Sequence, residues 1–221
     1  MSAQISTYTG LRAGVLAWLA RTGDTLLDSR FDDFLHGCER RMYYGHATED
    51  AGNPLRSDPL RIVEMEATDS TFVLQATVAQ PESFIELISI LLNSPQTLLD
   101  IVSQRTLDAY GAQRLGGVAK IAVSGTSFRV KDDPAGATAT LRYYRKLETP
   151  TGATANDILT RYPDVYLFGC LIEAAVFTQD EFGAQRYLQL YNASVAGLNA
   201  RTQRITASAA PVIRLRAGML P

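Results

Sequence analysis

Cysteine, histidine and tryptophan are scarce in this chain, at two, two and one among 221 residues. So few leave little material for a metal site or a histidine-supported nucleophile. The one cluster is His36, Cys38 and His46, and residues two apart on a helix point to different sides, so no shared metal is expected. No serine or cysteine is marked as a nucleophile by its surroundings. A phosphate-cradling loop is missing too, since Gly116 and Gly117 stand without the required spacing or lysine. The carboxylate pairs Asp32–Asp33 and Asp132–Asp133 fall at a helix start and in a turn, where capping and turn formation account for them. The chain is therefore expected to be no enzyme, to carry no catalytic or metal-binding residue, and to need no cofactor.

Other absences bear on location and partners. The longest apolar run, Pro163 to Phe177, is about 15 residues, short of the roughly 20 that span a bilayer, so no membrane partner is expected. The opening MSAQISTYTG has neither the basic nor the apolar region of a secretory leader. Cys38 and Cys170 both sit in apolar helical settings and read as buried thiols of a reducing compartment. The triplet Asn192-Ala193-Ser194 matches a glycosylation acceptor only on paper, inside a helical pattern. Acidic residues stop at Glu181, whereas Arg186, Arg201, Arg204, Arg214 and Arg216 follow it, so the chain, of net charge −2 overall, has a small basic end on a mildly acidic body. A hydrophobic content of 46% with 20% charged residues is that of an ordinary folded protein.

The stretch that organises the rest is Tyr162 to Ile205, two helices in succession. Pro163 suits a first helical position, where its missing N–H would go unpaired anyway. Val165, Leu167, Phe168, Leu171, Ile172, Val176 and Phe177 cover nearly every side of the segment that follows, with Glu173 the single interior charge. A helix that is apolar all round belongs inside the protein, and Glu173 must reach solvent or a cation such as Arg142, Arg145 or an arginine of another copy. After Thr178 to Glu181, Ala184, Leu188, Tyr191, Val195, Leu198, Thr202 and Ile205 recur at alternating steps of four and three. That spacing draws a narrow seam suited to one neighbouring helix or a second copy.

Upstream, Tyr8 or Thr9 can cap a helix carrying Leu11, Val15, Leu16, Trp18 and Leu19 and ending near Gly23. A second helix after Asp28 carries Phe31, Phe34, Leu35, Cys38 and Met42, with Arg40 and Arg41 in its last turn. Gly45 to Pro59 reads as loop. Seven short segments rich in β-branched or aromatic residues follow: 61–66, 72–74, 84–92, 97–102, 118–123, 127–131 and 137–146, with one short helix from Ser103 to Tyr110. Asp132, Asp133, Pro134 and Gly136 look like the clearest hairpin connection. Helices, then strands, then helices point to an α+β fold. The expected domain is single: a helical body from 1–60 and 150–207, an inserted small antiparallel β-sheet over 61–149, and an extended C-terminal arm over 208–221. Pro211 ends the last helix, and Val212, Ile213, Arg214, Leu215 and Arg216 favour an extended arm able to add to a partner.

Residue order carries a further likeness. The opening TYTGLRAGVLAWLAR, the segment PLRIVEME, the strand LRYYRKL, the run NDILTRYPDVYLFGCLIEAAVF and the long tyrosine-bearing helix closing on an arginine-containing tail resemble the head-to-tail adaptor (connector) proteins of tailed bacteriophages. The resemblance spans nearly the whole chain, most specifically from Leu141 to Arg216. It implies a structural virion protein of the neck, assembled in the host cytoplasm as a homo-oligomeric ring, usually of twelve. Such a ring sits beneath the portal, extends the channel through which genomic DNA passes without sequence-specific binding, and offers a platform to tail or nozzle proteins. It also implies that the arm Val212, Ile213, Arg214, Leu215 and Arg216 reaches the portal protein, with Arg201 and Arg204 at its base. Two other classes stay open on the residues alone. A nucleic-acid binder has some support from Tyr143 and Tyr144 beside Arg142, Arg145 and Lys146, though a strand with its aromatic half packed and its basic half solvated is the plainer reading. An enzyme with an unmarked site would need a pocket of converging polar groups.

Overall fold

A computed structural model describes residues 5–46, 55–109, 119–131 and 136–207. Outside them fall most of the Gly45–Pro59 loop, Gly116 and Gly117, the turn residues Asp132 to Pro134, and the whole arm from Ser208. The fold is α+β and the chain divides into two compact units, 1–63 with 149–221 and 64–148.

The first unit is helical. Helix α1 (Tyr8–Trp18) is capped by Thr7, whose Oγ1 accepts the Gly10 N–H at 3.1 Å, so the cap lies one residue before Tyr8. The helix ends well short of Gly23, because Ala20 takes a left-handed conformation (φ 53°) that stops it. A short α2 (Thr25–Ser29), capped by Asp24, was not expected. Asp28 lies within it and receives Nε and Nη2 of Arg12, both at 2.6 Å. The apolar stripe Phe31, Phe34, Leu35, Cys38 and Met42 is buried along α3 (Phe31–Tyr44). After the strand-rich unit come α5 (Asp157–Arg161), α6 (Pro163–Phe177) and α7 (Glu181–Ala207). Helix α6 starts on Pro163 and packs against α1, α3, α5 and α7, which is why it is apolar on every side over most of its length. Its last turn departs from that reading: Val176 and Phe177 are about half exposed.

The second unit holds two four-stranded sheets instead of one. Its strands are β1 (Glu66–Val73), β2 (Thr77–Ala79), β3 (Phe84–Asn93), β4 (Gln96–Leu98), β5 (Asp100–Ile101), β6 (Lys120–Ser124), β7 (Ser127–Lys131) and β8 (Thr138–Arg145), with a short helix α4 (Gln104–Ala109). One sheet runs β1-β8-β3-β4, all antiparallel, and the other β2-β7-β6-β5, with β5 parallel to β6. Phe72, Ile90, Leu92, Ala139 and Leu141 from the first meet Ile121, Phe128 and Val130 from the second in one buried core. The segment 61–66 is not a strand; a 3-10 turn at Val63–Met65 precedes β1. The run 97–102 is two strands, because the chain leaves one sheet for the other at the buried Leu99. The strands on either side of Asp132–Gly136 lie in different sheets, so that turn chemistry does not close a hairpin. The tight hairpin joins β6 to β7 through Gly125 and Thr126, with Gly125 at φ 58°, where a side chain would be strained.

Candidate functional site

The apolar positions of α7 dock on α6. Ala184, Leu188, Tyr191 and Val195 are buried, Leu198 is half-buried, and Thr202 is buried again while Ile205 is half exposed. The approach is close at Gly169, where a Cβ would sit 2.3 Å from Cys38 Sγ and 3.4 Å from the Tyr191 ring. Three helices therefore meet at one glycine, and only hydrogen fits. Burial pushes the Cys170 thiol up, with Cys38 beside it adding to the shift. Both cysteines are free and fully buried.

The polar side chains of α7 are also engaged. Asn199 accepts the Arg61 N–H at 2.7 Å and donates to the Pro59 carbonyl at 3.0 Å, and Asn192 donates to the Arg56 carbonyl at 3.1 Å. Two asparagines seven residues apart, two helical turns, thus strap an extended segment to the helix. The paper glycosylation acceptor is one of those straps. Arg201 Nη1 donates to the Tyr162 hydroxyl, and its guanidinium lies 5.9 Å from the Tyr162 ring centroid. The basic end of α7 is thereby tied to the residue that precedes α6. Among the described residues, Arg204 donates to the Ala200 carbonyl of its own helix.

Two acidic groups, the half-buried Glu173 and the buried Glu39, hold α3 in place. Glu173 takes Nε and Nη2 of Arg41 at 3.1 and 2.8 Å, while Arg41 Nη1 donates to the Leu55 carbonyl at 2.9 Å. The cation that Glu173 requires is therefore Arg41, and not Arg142 or Arg145. Among the described residues no cation lies in hydrogen-bond contact with Glu39. Its carboxylate accepts from Thr149 Oγ1 at 2.6 Å and from the Tyr166 hydroxyl at 3.0 Å, and that hydroxyl accepts from Asn156 Nδ2 at 2.7 Å. Burial raises the Glu39 carboxyl above its ordinary value against the opposing pull of those hydrogen bonds and of His36. Burial likewise pushes the Tyr166 phenol far up.

The other sequence candidates are dispersed. His36 is exposed, with Nδ1 2.7 Å from the Asp32 carbonyl, whereas Cys38 is fully buried. Among the described residues no three metal-ligating side chains come together, and no helix is long and apolar enough to cross a membrane. In the aromatic and basic run of β8, Tyr143 is core, 5.8 Å from the Phe84 ring, and Arg142 pairs with Glu66 at 2.8 Å. A groove of about 680 Å³ lies at the turn from α6 to α7, lined by Leu55, Ala175, Val176, Ala184 and the acidic Asp180 and Glu181. Sequence reasoning missed it because its walls come from residues that separately look like core or cap. The arm residues Val212, Ile213, Arg214, Leu215 and Arg216 lie outside the described residues.

Among the described residues, the buried polar groups hold helices together and the metal-ligating side chains lie apart. The chain matches the protein-family model described as SU10 adaptor protein over residues 6–215 and belongs to that family, a family of phage head–tail adaptors. Its role is thus that of a structural adaptor of the virion neck, working with portal and tail proteins. A comparison with curated proteins gives no match.

Proposed function

We propose that the chain assembles in the host cytoplasm into a homo-oligomeric ring, twelve copies in the finished virion, beneath the portal. The ring extends the DNA channel, lets the genome pass without reading its sequence, and presents a platform to tail or nozzle proteins. The observation that carries this reading is the family match, which runs to Leu215 and so takes in most of the arm as well as the folded body. In it the arm Val212, Ile213, Arg214, Leu215 and Arg216 docks on the portal. Apolar side chains past Pro211 are best explained by a partner that covers them. Arg201, held on Tyr162, and Arg204 fix the direction in which the arm leaves the body. The seam Ala184, Leu188, Tyr191, Val195 and Leu198 serves to keep α7 straight against α6, so that the arm starts from a rigid base.

Deleting Pro211 to Pro221 tests the reading, with thermal melting and portal attachment both measured. Unchanged melting with loss of attachment is the expected outcome. Retained attachment would remove the arm from the portal interface.

A further inference from the structure

We infer that, until a portal claims it, the arm of each copy is held in the α6–α7 groove of a neighbouring copy. The inference rests on the reading of the chain as a ring adaptor with a portal-binding arm. The groove is apolar at its base, through Leu55, Ala175, Val176 and Ala184, and carries the carboxylates of Asp180 and Glu181 on its rim. Val176 stands 47% exposed there, and Phe182, next after Glu181, is 88% exposed. Such apolar surface at one turn calls for a cover. The segment beyond Ala207 has matching chemistry, with Val212, Ile213 and Leu215 to fill the base and Arg214 and Arg216 to meet the two carboxylates. A volume of about 680 Å³ accommodates a few such side chains.

Reach decides between the chain's own arm and another's. From Ala207 back to Ala184 the helix axis covers roughly 35 Å at 1.5 Å per residue. The extended chain from Ala207 spans at most about 22 Å to Ile213 and about 29 Å to Leu215. The apolar and basic part of the arm therefore falls short of its own groove and must enter that of a second copy. Contacts of this head-to-tail kind close into rings when the rotation allows, which agrees with the assembly proposed above. Groove and portal then compete for one segment, so portal attachment releases the arm from its neighbour.

Cysteine crosslinking tests this, because both native thiols are fully buried and leave introduced ones as the accessible pair. In the full chain carrying Gln185→Cys and Ile213→Cys, mild oxidation should give interchain dimers and higher products. Either single substitution should reduce the yield at least tenfold. Adding Asp180→Asn, which keeps a capping residue, and Glu181→Lys should lower it by a similar factor, and Arg214→Glu with Arg216→Glu should then restore it. Portal should suppress the product. Only an intrachain product, no crosslinked product at all, or indifference to charge reversal would each overturn the inference. The portal reading is judged separately: if the chain lacking Pro211 to Pro221 still binds portal, that reading fails while the crosslink stands or falls alone.

Discussion

Glu173 shows how far a single residue can be reasoned from its neighbours in sequence. One interior charge in a largely apolar helix demands a cation, but the cation comes from Arg41, more than a hundred residues away, and no local pattern names it. Arg41 is almost wholly enclosed, so Glu173→Ala strands a buried guanidinium and should cost roughly 3–5 kcal/mol in urea unfolding. Replacing both residues by methionine should cost less than the single change, since no unpaired charge remains. Glu39 makes the opposite case, a buried carboxylate held by neutral donors with its pKa raised by burial. The folded protein takes up that proton at a higher pH than the unfolded chain does. Stability from this group is therefore full below the unfolded carboxyl value and is lost as pH rises through the folded one. As pH rises above the unfolded carboxyl value toward neutrality, the melting temperature of Glu39→Gln should consequently fall less than that of the parent, measured side by side. An equal fall in both would remove Glu39 from the pH dependence.

Among the elements, α6 and α7 were the most legible, because length, a proline start and a sustained apolar pattern leave little competition from other structures. The strands were read in the right region but not in the right sheets. Period and turn chemistry report local extension, whereas pairing is set by contacts between distant segments, as the jump at Leu99 and the separate sheets of β7 and β8 show. The groove at the α6–α7 turn was not legible at all, since Ala175 and Ala184 look like ordinary core and Asp180 like a cap. Packing of α7 on α6 sets two expectations. Leu188→Ala, at a buried position, should cost about 2–5 kcal/mol, and Leu198→Ala, half-buried, clearly less. Gly169→Ala inserts a carbon 2.3 Å from Cys38 Sγ, so it should destabilise by about 1–3 kcal/mol through overpacking, despite the better helix propensity of alanine. Adding Cys38→Ala to Gly169→Ala should recover part of that loss, and denaturant midpoints for the three variants decide it.

At the scale of the whole molecule, two cores coexist in one chain. The sandwich core, from Phe72 to Tyr143, is built wholly from the second unit. The helical unit has its own, with Leu11, Leu35, Met42, Leu171 and Tyr191 all enclosed. The chain leaves the helical unit after Val63, three residues past Leu60, whose N–H donates to the Met42 carbonyl at 2.8 Å, and re-enters at Thr149, whose hydroxyl binds Glu39. Met42 and Glu39 are three residues apart on α3, so exit and return lie on neighbouring turns of one helix. A short flexible linker can therefore take the place of residues 64–148 without stretching the helical unit. Such a chain should keep its helical circular dichroism and melt in a single transition, with Cys38 and Cys170 still unreactive to a thiol reagent because α3, α6 and α7 still enclose them. Rapid modification of both thiols in the shortened chain would mean that the helices depend on the sandwich for their packing.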